Sequence, residues 1–118
     1  LIDLLKATDI EGDPAKGKMW EHSLIYIATE FGRDKVISGG SGHHLNNGVV
    51  MISPMLNGNK IYGGIDTATS LTHGFNTETG EPDTKKNMKE HDIYGAICHA
   101  VGLNYTSRGS YKAMVRKA

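Results

Sequence analysis

The stretch SLIYIATEFGR, residues 23–33, decides how the rest of the chain is interpreted. Its first part, residues 23–29, is a nearly unbroken apolar run rich in residues that favour strands. Such runs are typical of a strand buried on both faces, as in a parallel sheet. Glu30 and Arg33 follow directly, and in open α/β sheets ligands bind beyond the carboxyl ends of the strands. The stretch therefore predicts a buried parallel strand with a candidate site at its end.

The residues before this strand predict a helix and then a solvated loop. Leu1, Leu4 and Leu5 lie on one side of residues 1–8 at helical spacing, as at the end of an amphipathic helix. Residues 9–18 are highly charged and contain Pro and Gly, which is typical of an exposed loop. Because a helix followed by a strand is one half of an α/β unit, we expect an α/β fold.

Two further apolar runs predict short strands downstream. Residues 48–53 resemble a second buried strand, and residues 60–65 resemble a third strand or an extended arm. Asn57 and Gly58 lie between them and form a strong turn signal. A hairpin is predicted around residues 79–80, within a polar segment.

The last apolar pattern predicts a helix over residues 88–101. Asn87 is its expected N-cap, with Glu90 three residues later as in a capping box. Gly102 stands where such a helix should end. The predicted buried stripe consists of Ile93, Ile97, Ala100 and Val101. Cys98 lies beside this stripe and is expected to be a small core residue.

Composition excludes several classes of protein. The 118 residues fit one small domain, and 13 Lys and Arg balance 13 Asp and Glu, which argues against a nucleic-acid surface. A single Cys allows neither an internal disulfide nor a multi-cysteine metal site. No apolar run is long enough for a membrane helix. The 15 Gly exceed the usual share of ~7%, or about 8 residues, which indicates tight turns and close approaches.

Two adjacent histidines follow a Gly/Ser segment at residues 38–42. His43 and His44 belong to the residue type that most often binds metals and transfers protons near neutral pH. Adjacent residues in an extended segment point to opposite sides, so at most one of them faces a given site. The alternatives are two exposed histidines without a role and a surface ion pair between Glu30 and Arg33. No complete catalytic set is present, so an enzyme built on this chain needs further residues from elsewhere.

Four segments, in order, resemble one protein family. Residues 20–33 resemble its TLVVWATEFGR strand and loop, and His44 falls where the family has the His of a GRDHW element. Residues 49–64 resemble a strand, turn and IYGG-like segment, and residues 90–104 resemble a late helix. The family is the domain-of-unknown-function family fifteen hundred and one. It comprises bacterial sulfatase-like proteins that are distantly related to the alkaline phosphatase and sulfatase superfamily.

The resemblance implies that this chain is the C-terminal portion of a three-layer α/β/α alkaline-phosphatase-like sandwich. Residues 1–104 would form that part of the domain, and residues 105–118 would be a polar, loosely attached tail. The superfamily's nucleophile and first metal ligands lie earlier in the domain, so no catalytic residue is assigned here. The missing N-terminal part of the same domain is the expected partner. We therefore expect strand 23–29 to pair with strands outside these 118 residues.

The resemblance also implies roles for individual residues. Glu30 stands where the superfamily has a metal-binding Asp, and His44 matches a later His ligand. Both are expected to bind a divalent metal, which would be zinc, calcium or magnesium. Arg33 is expected to bind the anionic group of a substrate. Phe31 and His43 depart from the pattern, because they replace a metal-binding His of the superfamily and the Asp of the GRDHW element.

Two functions follow from this comparison. The first is a sulfatase- or phosphatase-like hydrolase that acts on small anionic esters or glycans with a divalent metal. The second is a non-catalytic sulfatase-like scaffold or binding protein of the cell envelope. Phe31, together with Gly42 in place of the family's Arg, favours the second. Relatives with this pattern often carry an export signal, so we expect a periplasmic or exported protein, with neither nucleic acid nor a membrane span.

Overall fold

The structure is a computed structural model that describes residues 1–33, 43–44, 47–86, 88–103 and 111–116, with the backbone alone at residues 33, 43 and 44. The helices are α1 (Ile2–Ala7), three 3₁₀ turns (Ile10–Gly12, Pro14–Lys16 and Met19–His22) and α2 (Glu90–Ala100). The strands are β1 (Ile25–Ala28), β2 (Gly32–Arg33), β3 (His43–His44), β4 (Val49–Ile52), β5 (Gly64–Ile65), β6 (Thr72–Phe75) and β7 (Pro82–Asp83). This is a small mixed α/β fold, which agrees with the expected class. In the described part of the chain, no helix is long and apolar enough to cross a membrane.

The N-terminal residues fold as a short helix that packs on the last 3₁₀ turn. The predicted helix at residues 1–8 is confirmed as α1, and the Lys6 ammonium lies 5.6 Å from the centroid of the Trp20 ring. The predicted loop contains two 3₁₀ turns and is closed at its ends by a backbone bridge between Asp9 and Lys18. The side chains of those two residues also form an ion pair at 2.6 Å.

The central strands pair with one another in two separate sheets, and we call the region that contains them the arm (residues 25–52). β1 pairs with β4 and β2 pairs with β3, and both pairs are antiparallel. Ala28 is opposite Val49, whereas Gly32 is opposite His44, so the registers of the two pairs differ by one residue. One extra residue on one strand is the feature that defines a β-bulge.

Because β1 pairs with β4 in the antiparallel direction, the expectation of a parallel strand is wrong for β1.

The arm is also more exposed than the sequence predicts. The side chains of Ile27 and Val50, which are opposite each other in register, are 55% and 54% exposed, and Tyr26 is 44% exposed. Among the described side chains of the arm, Met51 packs against the buried core, as does Leu24 just before the arm. The prediction of burial on both faces is wrong within the described residues, because β1 and β4 form a sheet of only two strands there. A two-stranded sheet cannot bury both of its faces.

A second, three-stranded antiparallel sheet follows in the order β5-β6-β7. The hairpin predicted at residues 79–80 is confirmed as the turn between β6 and β7. The Gly80 N–H donates to the Asn76 carbonyl at 2.7 Å, and Gly80 has a φ of +83°, a conformation that favours glycine. The strand predicted at residues 60–65 is shorter than expected, since only Gly64–Ile65 are paired. Gly63 is required before it, because a Cβ there would lie 2.5 Å from the His73 carbonyl oxygen.

The helix predicted near the C-terminus is present, and its end lies where the sequence places it. The N-cap is Lys89, whose backbone N–H donates to Asp92 Oδ2 at 2.8 Å. The expected N-cap Asn87 lies outside the described residues. At the other end, Gly102 has a φ of +81°, and the Leu103 N–H donates to the Cys98 carbonyl at 2.8 Å. This is the arrangement by which glycine commonly ends a helix.

The buried face of α2 differs from the predicted stripe. Its buried residues are Asp92, Gly95, Ala96 and Cys98. Of the predicted stripe, Ala100 packs against the core, but Val101 is 49% exposed. The reason lies in the partner: the buried Tyr111 side chain packs on Gly95, where a Cβ would lie 2.6 Å from the Tyr111 hydroxyl. Small residues therefore face the core, as predicted for Cys98, and larger ones lie outside it.

The core is completed by the C-terminal segment. Its buried members are Leu56, Phe75, Ala96, Tyr111, Met114 and Val115. Residues 111–116 differ from the expected loose polar tail, because Leu56 forms a β-bridge with Val115 and the Asn57 N–H donates to the Met114 carbonyl at 2.7 Å. The apolar residues of this segment are too few to produce a periodic pattern, so only their packing identifies them as core.

Candidate functional site

The arm places the residues of the predicted site near one another. Glu30 lies in the short connection between β1 and β2. Gly32 is opposite His44 in the register of β2 and β3, and Arg33 is opposite His43. His44 is therefore paired with Gly32, which lies two residues after Glu30. Glu30 and His44 themselves are far apart in the sequence. The pairing is local to the arm and needs no other part of the fold.

A side-chain clamp joins the two strands of the arm beside Glu30. Asn47 Nδ2 donates to the Thr29 carbonyl at 2.7 Å and to the Thr29 hydroxyl oxygen at 2.6 Å. The Gly48 N–H donates to Asn47 Oδ1 at 2.8 Å. These bonds lie between the two strand pairs of the arm.

The two residues at the tip of this connection differ in exposure. Glu30 is exposed, so a cation reaching its carboxylate would not have to be transferred into a buried environment. Phe31 is half-buried, and its carbonyl accepts a long hydrogen bond of 3.4 Å from the Thr29 hydroxyl. The Phe31 side chain offers no ligand atom, so it cannot bind a metal ion.

The remaining predicted site residues are located by their backbone alone. Arg33 lies in β2 and His43 and His44 lie in β3, and the positions of their side chains lie outside the described residues. Gly42 and the rest of residues 34–42 also lie outside them. What the structure brings together is therefore a carboxylate-bearing connection and a His-His strand at one end of the arm.

The donor set present here fits part of a metal site. A Glu carboxylate and a His imidazole are both ligands of zinc, whereas calcium and magnesium prefer oxygen donors. Structural and catalytic zinc sites use three or four protein ligands, so Glu30 and His44 would supply only some of them. Among the side chains that the structure describes, no group of three or more His, Cys, Asp and Glu is placed to hold a metal ion.

Four other reactive side chains have structural surroundings. His73 Nδ1 lies 3.0 Å from the Gly74 carbonyl oxygen, and the His99 ring meets the Tyr111 ring edge-on at a centroid distance of 5.4 Å. Cys98 is buried. Burial raises the pKa of the Tyr62 phenol, which donates to the Ala113 carbonyl. These contacts are typical of residues that stabilise a fold.

Sequence reasoning missed one residue of this region. No role is predicted for Asn47 from the sequence, although Asn47-Gly48 repeats the turn signal of Asn57-Gly58. The signal that could have identified it is the Asn-Gly step just before a strand, where an amide can bond to the backbone of the partner strand. The partner, Thr29, is visible only in the folded chain.

No family model matches this sequence, and no curated protein or solved structure is significantly similar to it.

Proposed function

We propose that this chain forms part of a sulfatase- or phosphatase-like hydrolase that acts on small anionic esters with a divalent metal. The observation that supports the proposal is the register of the arm, which pairs Gly32 with His44 and so brings the Glu30 connection and the His-His strand to one place. The resemblance of residues 20–33 and 90–104 to sulfatase-like proteins supports the same function. The finer architecture, the C-terminal part of a three-layer α/β/α sandwich, belongs to this proposal.

In this proposal, Glu30 and His44 hold the metal and Arg33 binds the anion. A bound divalent cation would polarise the ester oxygen and lower the pKa of a nucleophile. The guanidinium of Arg33 can form two parallel hydrogen bonds to a sulfate or phosphate group. The nucleophile and the remaining ligands would come from the N-terminal part of the domain. The Glu30 carboxylate is exposed, so it could approach a cation without first being buried as a charge.

The exposed faces of the arm support the same partner. Ile27 and Val50 form an apolar pair more than half exposed, and the sheet of β1 and β4 has two strands in the described part of the chain. Additional strands from the N-terminal part of the domain would cover this pair and pair with the free edges. The location that the family resemblance implies is the periplasm or the cell exterior.

A non-catalytic scaffold or binding protein of the cell envelope is the second candidate. The observation that favours it is Phe31, which occupies a position where the superfamily has a metal-binding His. In that case Glu30 and Arg33 would pair with each other, and the arm would bind a glycan or a protein partner. Folds of this class are often reused in this way.

Metal binding by the full-length protein separates the two candidates. We expect the purified protein to retain zinc, calcium or magnesium in elemental analysis, and Glu30→Gln to lower both the metal content and any hydrolysis of sulfate or phosphate esters. Glu81→Gln is the matched control, since Glu81 is also exposed but lies at the β6–β7 turn. Wild-type protein without metal, with activity unchanged in Glu30→Gln, would contradict the hydrolase and leave the scaffold.

A further inference from the structure

The chain contains two Asn-Gly steps, and both Asn side chains hold distant segments together. Asn47 Nδ2 donates to the carbonyl and the hydroxyl of Thr29, across the arm. Asn57 Nδ2 donates to the carbonyls of Lys112 and Ala113 at 3.2 and 3.0 Å, across the core. The Asn-Gly sequence is chemically the most labile setting for an asparagine, because glycine has no Cβ to hinder its own backbone nitrogen. Each clamp is thus built on a reactive residue.

The two sites differ in their exposure and in the position of the nucleophile. Asn47 is exposed, whereas Asn57 is half-buried. At the first site the Gly48 nitrogen lies 2.8 Å from Asn47 Oδ1, so it is a close neighbour of Cγ, the carbon that carries this oxygen. Water has direct access to the first site, and the second is covered by the C-terminal segment.

We propose that Asn47 is a site of spontaneous deamidation, and that this modification opens the clamp on Thr29. In the first step the Gly48 nitrogen attacks Cγ of Asn47, the N–Cγ bond forms, and the Cγ–Nδ2 bond breaks. Ammonia leaves with the proton of the Gly48 N–H, and a five-membered succinimide remains. Water then adds to either ring carbonyl and opens the ring to an aspartate or an isoaspartate. The net reaction is amide plus water to carboxylic acid plus ammonia.

The product cannot make the bonds that hold the arm at this point. The amide nitrogen is a donor, whereas the carboxylate that replaces it only accepts hydrogen bonds. It would face the carbonyl oxygen of Thr29, which is also an acceptor, so the hydrogen bond to that carbonyl would be lost, whereas the Thr29 hydroxyl could turn and donate to the carboxylate. The new negative charge arises next to the connection that carries Glu30. This inference does not depend on the proposed metal site, because it rests on the clamp alone.

Incubation of the full chain in mildly alkaline buffer, followed by peptide mass spectrometry, tests the modification. We expect the mass increase of one deamidation at Asn47 several times sooner than at Asn57. Gly48→Ala should slow the conversion at Asn47 by roughly an order of magnitude, because the added Cβ hinders the nitrogen. Gly58→Ala is the matched control and should leave Asn47 unchanged. An added Cβ has no heavy atom within 4 Å at either glycine, so both variants should fold.

The consequence is measured by hydrogen exchange in Asn47→Asp and Asn57→Asp. Backbone amides of residues 29–33 should exchange faster in Asn47→Asp and remain unchanged in Asn57→Asp. Conversion at Asn57 as fast as at Asn47, or a rate at Asn47 that Gly48→Ala does not lower, would overturn the modification. Unchanged exchange at residues 29–33 in Asn47→Asp would overturn the opening of the clamp.

Discussion

The arm differs in burial from the region that carries the core: none of the arm's described side chains is buried, whereas six residues between positions 56 and 115 form the core. In the arm (residues 25–52), the paired side chains of Ile27 and Val50 are both more than half exposed. In the region that we call the core block (residues 55–116), Tyr111 is 2% exposed and Ala96 is fully buried. The radius of gyration, 16.8 Å, exceeds the roughly 13–14 Å of a compact domain of this length, as expected when one region packs and the other extends.

The difference teaches that local pairing and burial are separate requirements. In the arm, every residue of β1 is paired with a residue of β4. Its apolar side chains, such as Ile27 and Val50, nevertheless remain exposed in the described structure. The core block has short strands, yet its C-terminal segment fills the space between Leu56, Phe75 and α2. Stability should therefore be concentrated in the core block, and interaction capacity in the arm. The following four changes probe this contrast.

The largest effect is expected for Tyr111→Ala. It removes the most deeply buried large side chain from its position on Gly95 and next to the ring of His99. The free energy of unfolding should fall by ~3–5 kcal/mol, as for other buried aromatic residues, measured by urea denaturation. Lys112→Ala, at an exposed neighbour, is the control and should change it by less than about 0.5 kcal/mol. Equal effects of the two variants would mean that the C-terminal segment is not part of the core.

A smaller effect is expected for Gly95→Ala. Alanine favours a helix by up to ~1 kcal/mol over glycine, but the new Cβ would lie 2.6 Å from the Tyr111 hydroxyl. Tyr111 is fully buried and cannot move away, so overpacking should dominate and lower the free energy of unfolding by about 1–2 kcal/mol. Thermal denaturation measures it. A more stable Gly95→Ala would show that Tyr111 does not pack closely on this face of α2.

Tyr62→Phe tests the link between the core block and its C-terminal segment. The substitution keeps the ring that packs on Phe75 at 5.0 Å and removes the hydroxyl that donates to the Ala113 carbonyl. One hydrogen bond of this kind contributes about 1 kcal/mol to stability, so the free energy of unfolding of Tyr62→Phe should fall by about that amount.

The same residue predicts a pH dependence. Burial raises the pKa of Tyr62 in the folded state, so its contribution to stability is complete below the unfolded pKa of about 10 and is lost as the pH rises through the folded value. Unfolding measured against pH should show this alkaline loss in the wild type. Tyr62→Phe should lack that component, and an identical profile in both proteins would contradict it.

The smallest effect is expected for Ile27→Thr in the 118-residue chain. Ile27 is more than half exposed and Thr favours strands, so the free energy of unfolding should change by no more than about 0.5 kcal/mol. If further strands cover the arm in a longer protein, as proposed above, the same change should be clearly more destabilising there. Equal small effects in both contexts would contradict the proposed partner of β1.

The candidate site was recognisable from sequence only as far as its residues are local. Glu30 and Arg33 follow an apolar run, so a strand end could be assigned to them directly. The pairing of His44 with Gly32 joins β2 and β3, which are consecutive strands in the sequence. The Asn47 clamp could not be predicted, because its partner Thr29 depends on the register, and one residue more or less would move the amide away from it.

By itself the sequence determined the features that depend on neighbouring residues. The end of α2 at Gly102 and the turn before β7 at Gly80 were predicted correctly, because a positive φ at these positions favours glycine whatever the surroundings. The tertiary structure alone decided which face of α2 is buried, the antiparallel partner of β1 and the burial of Tyr111, Met114 and Val115. Each of these depends on contacts between distant segments. Such contacts reflect the shape of the partner surface, such as the space that Gly95 leaves for Tyr111, and not the periodicity of either segment.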